Sequence, residues 1–179
     1  MLAQLPSITS PDSLLTASGE FFLECFAGHS AFTLAVVMAF VPALRPWELS
    51  HGSQFDVVAG LPVLLAAINC GLIVALHLGN PCQSFTQARV PALRSRLCPL
   101  GLPGLTAVQR ALVISGNELA SVSAILCLAI HKAGGYVSME SPERSLIWFF
   151  PEIRDLFQLP GFATVLCETA CGFSGLSRQ

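Results

Sequence analysis

The chain has 179 residues, 53% of them hydrophobic and only 11% charged, less than half the charged share usual for a soluble domain. This excludes a disordered chain, which needs low hydrophobicity and high charge, and a coiled coil, which needs Glu and Lys along its flanks. Nine Lys and Arg against eleven Asp and Glu leave a net charge of −2, so no global basic field draws nucleic acid.

The length suits a single domain. Mean hydropathy is +0.66, which leaves a membrane protein or an apolar α/β domain whose parallel strands are buried on both faces. Residues 1–19, rich in Ser, Thr, Pro and Gly, read as a flexible N-terminal arm, and 20–179 as the folded domain. The N-terminus has neither the basic region nor the apolar core of a secretory signal. The seven cysteines show no paired C-x-x-C spacing, so an intracellular, reducing setting is expected, nucleus or cytoplasm.

Glu20–Phe26 reads as a buried strand running through Ala27-Gly28-His29-Ser30 into an apolar helix over Ala31–Phe40. That is the opening of a nucleotide-binding α/β unit. A second short strand is expected to end near Trp47-Glu48, and Asp56 lies in a short FDVV run. Val57–Leu78 has 22 residues without a charge, long enough to span a bilayer. Its punctuation favours helix, turn and buried strand instead: Pro62 suits a first helical turn, Asn69-Cys70-Gly71 a helix stop, and Leu72–Leu78 a short strand. Ala111–Ile130 carries Asn117 and Glu118, costly in hydrocarbon, and no Lys/Arg cluster flanks any apolar stretch.

Asn80–Gly104 reads as a loop holding Arg89, Arg94 and Arg96 and no acid. A long helix is predicted over Thr106–Lys132, stopped by Gly134-Gly135. Tyr136–Glu140 follows as a strand, Pro142–Leu159 as helix broken at Pro151, and Ala163–Thr169 as a last strand. Strands alternating with helices indicate a mostly parallel α/β sheet with helices on both faces.

Ligands in such sheets bind beyond the carboxyl ends of the strands, which singles out Glu24-x-Phe26-Ala27-Gly28, Asn80-Pro81-Cys82-Gln83-Ser84-Phe85-Thr86 and Met139-Glu140-Ser141-Pro142. Cys82 follows a proline at a strand end, with Arg89 near to favour a thiolate nucleophile; the bland alternative is a loop cysteine with no task. Glu24 is a motif acid or a solvated edge residue. Glu140 is a functional acid or the partner of Arg144. Arg89, Arg94 and Arg96 either contact phosphates or are solvated. The four histidines share no metal-ligand spacing, so polar or capping roles are expected and no metal.

In this order, Phe-Ala-Gly, then Pro-Cys-Gln-Ser-Phe-Thr, then strand-Glu-x-Pro, the chain resembles the catalytic half of cytosine-C5 DNA methyltransferases across residues 20–172. The resemblance implies a Rossmann-like S-adenosylmethionine-dependent methyltransferase fold, lacking its C-terminal part. Cys82 and Glu140 would be catalytic: Cys82 adding to C6 of a flipped-out cytosine, Glu140 holding N3 and the exocyclic amine. S-adenosylmethionine would lie over Glu24, Phe26, Ala27 and Gly28, with Glu48 on the ribose hydroxyls, Asp56 at the adenine, and Asn80 and Pro81 beside them. Gln83, Ser84 and Arg89 would contact the substrate, DNA ahead of RNA. The chain departs from the family at Ser30 and Ala31, where glycines are usual, and at Ser141, where an Asn is usual. It also lacks the Gln-x-Arg strand motif, the target-recognition region and the final helix. A fold that has lost its activity and serves as a binding module is therefore the alternative function, and an integral membrane protein the second.

Overall fold

The computed structural model describes residues 1–165. Its centre is a parallel sheet of three strands, β1 (Phe21–Cys25), β2 (Ile73–Gly79) and β3 (Tyr136–Glu140), in the spatial order β1-β2-β3. The aliphatic run of β2 is the middle strand, paired on both edges, which is why it carries almost no polar residue. Residues 43–47 run alongside the free edge of β1. Leu44 N–H donates to Phe22 O at 2.8 Å, Trp47 N–H to Glu24 O at 2.8 Å, and Phe26 N–H to Trp47 O at 2.9 Å. The second short strand read from the sequence is thus a strand-like edge ending at Glu48.

The helices are α1 (Pro11–Thr16), α2 (Ala31–Met38), α3 (Leu61–Asn69), α4 (Ala107–Lys132) and α5 (Pro151–Leu156). Pro62 occupies the first turn of α3. Both α3 and α4 end in the same device: Gly71 and Gly134, at φ of 77° and 78°, turn the chain. Gly71 N–H donates to Ile68 O and Leu72 N–H to Ala67 O, while Gly134 N–H donates to His131 O and Gly135 N–H to Ile130 O. These paired bonds satisfy the last helical carbonyls. Val57–Leu78 is therefore helix, turn and strand. Among the described residues α4 is the one helix long and apolar enough to cross a membrane, and half of its most apolar window is buried in the fold.

Strand alternation decides what each face meets. Leu23, Leu76 and Val137 are cross-strand neighbours, as are Cys25, Leu78 and Met139. They pack into the main core with Leu64, Ile68, Leu126, Ile130, Ile153 and Leu156 of α3, α4 and α5. The opposite face carries Phe22, Glu24, His77, Ser138 and Glu140. Helix α2 covers its β1–β2 side through Phe32, whose ring lies 5.5 Å from Phe22 and 4.3 Å from His77. Over β3 no helix among the described residues covers this face, and Tyr136 is 81% exposed there.

Two expectations change. The first nineteen residues are not a loose arm: Ile8 is fully buried, Pro6 O accepts from Arg45 N–H at 2.7 Å, and Ser10 and Ser13 cap α1 reciprocally. One apolar residue in the core and a ladder-like bond at the sheet edge suffice to anchor a polar segment. At the other end, residues 163–165 form no strand, and the rest of the expected strand to Thr169, as well as Cys171, lies outside the described residues.

Candidate functional site at the carboxyl rim of the sheet

Because all strands are parallel, the loops after β1, after residues 43–47, after β2 and after β3 emerge at one rim. The turn after β1 is tight, with Phe26, Gly28 and Ser30 at φ of 56°, 49° and 57°. Gly28 N–H donates to Glu48 Oε2 at 3.1 Å, joining this turn to the end of the edge segment. A Cβ built on Gly28 would meet nothing within 4 Å, so a ledge is open there. At Gly79, by contrast, a Cβ would stand 2.9 Å from Phe26 O and 3.6 Å from Glu140 Oε1. The Glu140 carboxylate therefore lies over the end of β2, close to the Phe-Ala-Gly turn, and is 70% exposed.

Cys82 is exposed, and its carbonyl accepts from Phe85 N–H and Thr86 N–H at 3.0 and 2.9 Å, closing a tight turn around it. It opens into a cleft of about 380 Å³ lined also by Thr86, Gln87, Pro142, Arg144 and Ser145. The last three follow directly on Glu140. Leu146 N–H donates to Phe85 O at 2.8 Å, tying the loop after β3 to the loop that carries Cys82. A loop-to-loop tie thus exists although Ser141 stands where the resembling family has an amide. The cation lining the Cys82 cleft is Arg144, with Arg89 half-buried elsewhere on the loop.

Several expected ligand contacts are turned into the fold. Glu24 is 5% exposed, and its Oε2 accepts from both Thr33 N–H and Thr33 Oγ1–H. It satisfies an orphan donor of α2 rather than standing at a solvated edge or against a ligand. Asn80 is also buried, accepting from Ser123 Oγ at 2.9 Å and donating to the Met139 sulfur at 3.5 Å. Ser84 is buried and accepts from Arg94 Nη2 at 3.0 Å, so it braces the Cys82 loop from below and does not face substrate. Arg94 itself is 3% exposed and bonded to carbonyls, which removes it from any phosphate-binding group. Asp56 Oδ1 accepts from Val58 N–H at 2.9 Å and Ala59 N–H at 3.3 Å, a local turn role. Pro81 and Gln83 are exposed on the Cys82 loop, Phe26 is half-buried and Ala27 buried in the β1 turn.

One residue that sequence reasoning missed stands among the acids. His77, 6% exposed in β2, lies between Glu24 and Ser138 in cross-strand register. Its Nδ1 is 2.9 Å from Ser138 Oγ and its Nε2 3.9 Å from Glu140 Oε2. Burial pushes its pKa down from the usual 6.5, with Glu140 and Glu24 opposing that shift. The signal for it was a histidine in an aliphatic strand two residues before the strand-end glycine.

Ser30 makes a direct prediction. It adopts the left-handed conformation at the start of α2, and its hydroxyl is fully buried with no hydrogen-bond partner among the described residues. Both features cost free energy, about 1–2 kcal/mol for the backbone and about 1–3 kcal/mol for the hydroxyl. Ser30→Gly removes both against about 0.5–1 kcal/mol of added chain entropy. The variant should be more stable by about 1 kcal/mol or more, read as a raised urea midpoint at unchanged slope.

Among the described residues no cluster of His, Cys, Asp and Glu could hold a metal ion. No protein-family model, curated protein or solved structure matches the chain.

Proposed function

We propose that the chain is an S-adenosylmethionine-dependent methyltransferase acting at C5 of cytosine in DNA through a covalent Cys82 adduct. The observation that carries the reading is the shared rim: Gly28 with Glu48, Cys82, and Glu140 all stand at the carboxyl ends of neighbouring parallel strands. The residues present fit a nucleoside-bearing methyl donor at one end. Glu48 beside Gly28 has the arrangement in which an acid takes ribose hydroxyls, and the ledge at Gly28 is open. When bound, S-adenosylmethionine supplies the electrophilic methyl group that C5 takes.

The protein's own part is the handling of the base. The Cys82 thiolate forms an Sγ–C6 bond, and the C5=C6 electron pair moves to C5, making it nucleophilic. Glu140 accepts from the exocyclic amine, and a proton shared between Glu140 and N3 neutralises the charge that develops at N3 during this addition. Release reverses the first bond. The C5 proton leaves to water, its electron pair re-forms C5=C6, the Sγ–C6 bond breaks, and Cys82 departs as the thiolate. Arg144 is the cation lining the same cleft.

DNA carrying 5-fluorocytosine tests the chemistry, because fluorine at C5 cannot leave as a proton leaves. In the presence of S-adenosylmethionine the wild type should form a stable adduct visible on a denaturing gel, and Cys82→Ser should form none. A binding module that retains the fold is the second reading. It is favoured by Ser30 and Ser141, whose buried hydroxyls have no partners among the described residues where the resembling family has glycine and amide. Binding of S-adenosylmethionine by calorimetry without any adduct would select it.

A further inference from the structure

Of the buried titratable groups that the mechanism above leaves unused, His77 is the one that faces the site's acid. His77 has two ring nitrogens with different surroundings. Nδ1 meets the Ser138 hydroxyl at 2.9 Å, and Nε2 faces the Glu140 carboxylate at 3.9 Å. At 3.9 Å from a carboxylate, an N–H is electrostatically favoured over a lone pair. The arrangement therefore selects the tautomer with the proton on Nε2 and with Ser138 donating to Nδ1. Phe32 of α2 stacks on the imidazole at 4.3 Å and 10°, fixing the ring plane and covering one face. The groups facing the ring are Glu24 from β1, Ser138 and Glu140 from β3 and Phe32 from α2.

Glu140 needs such a partner. It emerges on the open part of the sheet, with its carboxylate largely in solvent, and a long acidic side chain there has several rotamers to choose from. We propose that His77 is the positioning residue for Glu140: its neutral Nε2–H, 3.9 Å away, attracts the carboxylate over Gly79 without a hydrogen bond, and a second proton on the ring draws that carboxylate into a close ion pair and away from the base. This rests on the reading of Glu140 as the acid that holds cytosine. It adds a pH control built from β2 rather than from the reacting groups.

The direction follows from burial, which makes the ring harder to protonate than a free histidine. His77 is therefore neutral and Glu140 available at pH 7, and the control acts below pH 6.5. The same shift carries stability. The unfolded chain binds the proton first as pH falls below 6.5, so this contribution is present above that value and is lost as pH drops through the lowered folded pKa.

Two measurements test the proposal. The first needs no activity: the His77 ring nitrogens are followed by NMR during a pH titration. The proton should sit on Nε2 at neutral pH. Glu140→Gln should lower the His77 midpoint further, by about 0.5–1 pH unit for a charge near 4 Å in a largely solvated setting. Ser138→Ala, at an exposed position that leaves the core intact, should move part of the population to the Nδ1–H form. An unchanged midpoint in Glu140→Gln would overturn the proposal.

The second is the single-turnover rate of adduct formation with 5-fluorocytosine DNA between pH 5 and 8. Protonation of the thiol alone gives a slope of about 1 in log rate per pH unit; wild type should steepen towards about 2 below the His77 midpoint. His77→Gln keeps an N–H at the Nε2 position without titrating. It should stay within about threefold of wild type at pH 7.5 and lose the steeper limb, while His77→Leu should be slower by about 10- to 100-fold throughout. A His77→Leu variant as fast as wild type would overturn the proposal. If wild type forms no adduct at any pH while Glu140→Gln still shifts the His77 midpoint, the covalent reaction is wrong and the His77–Glu140 coupling stands.

Discussion

Arg94→Met is expected to destabilise the protein by at least about 3 kcal/mol, the largest effect of any single change at the rim. Arg94 is buried without a carboxylate partner among the described residues. Its guanidinium instead donates to Ser84 O at 3.1 Å, Val113 O at 2.9 Å, Ser84 Oγ at 3.0 Å, and to Pro99 O and Asn117 Oδ1 at 2.5 Å each. It also lies 3.9 Å over the Phe85 ring. Burial lowers its pKa to about 10, which leaves it charged at neutral pH. One side chain thus joins the Cys82 loop, the 94–99 turn and α4. The methylene part of Met fills some of the space, but the acceptors stay buried and lose a charged donor, each at a cost above about 1 kcal/mol. Arg94→Lys recovers little, since one ammonium cannot reach three separated elements. Urea unfolding measures the loss. Adduct formation should fall with it, because Ser84 is two residues from Cys82. A loss below about 1 kcal/mol would show that the loop is held by something else.

Gly60→Ala should cost about 3 kcal/mol, at the upper end of overpacking. Gly60 precedes α3 at an ordinary φ of −87°, so its backbone does not require glycine. Space does. A Cβ there would lie 1.9 Å from Cζ3 and 2.2 Å from Cη2 of Trp47, which is fully buried. Trp47 cannot yield freely. Its backbone is bonded to Glu24 and Phe26 of the first strand and turn, and its ring meets Phe55 edge-on at 6.1 Å. The displacement should therefore reach Glu48, the next residue, and weaken its contact with Gly28. S-adenosylmethionine binding, measured by calorimetry, should weaken in parallel with stability. Trp47→Phe in the Gly60→Ala background should restore part of both, and additive losses in this double-mutant cycle would show that the two sites do not press on each other.

These two residues mark where sequence reading stops. Gly60 reads as an unremarkable helix-start glycine, and only the position of a tryptophan thirteen residues earlier explains it. Arg94 sits in an acid-free loop beside Arg89 and Arg96, so its charge suggested either phosphate contact or solvation. Nothing local distinguishes a solvated arginine from one folded inward onto carbonyls. The same holds for Glu24, Asn80 and Ser84. Each has the residue type and strand-end position of a ligand contact, yet each satisfies a backbone or side-chain group of the protein. His77 is the converse case: one histidine in an aliphatic strand carries no motif, and its importance comes from Ser138 and Glu140 on the neighbouring strand.

Local chemistry was enough for most of the central elements, though not for α1 or for the strand expected from Ala163. Apolar period, Pro62 at a first turn, and Gly71 and Gly134 after the last helical residues mark where helices and strands begin and end, because these signals act over three or four residues. The alternation of strand and helix likewise implied the parallel sheet and the common rim of its loops. Partnership across the sheet was decided only by the tertiary structure. It drew Ile8 into the core, turned Glu24 onto α2, and set His77 against Glu140. Hydrogen bonds and packing between residues tens of positions apart depend on register and on which face each side chain takes, and no short window of sequence contains either.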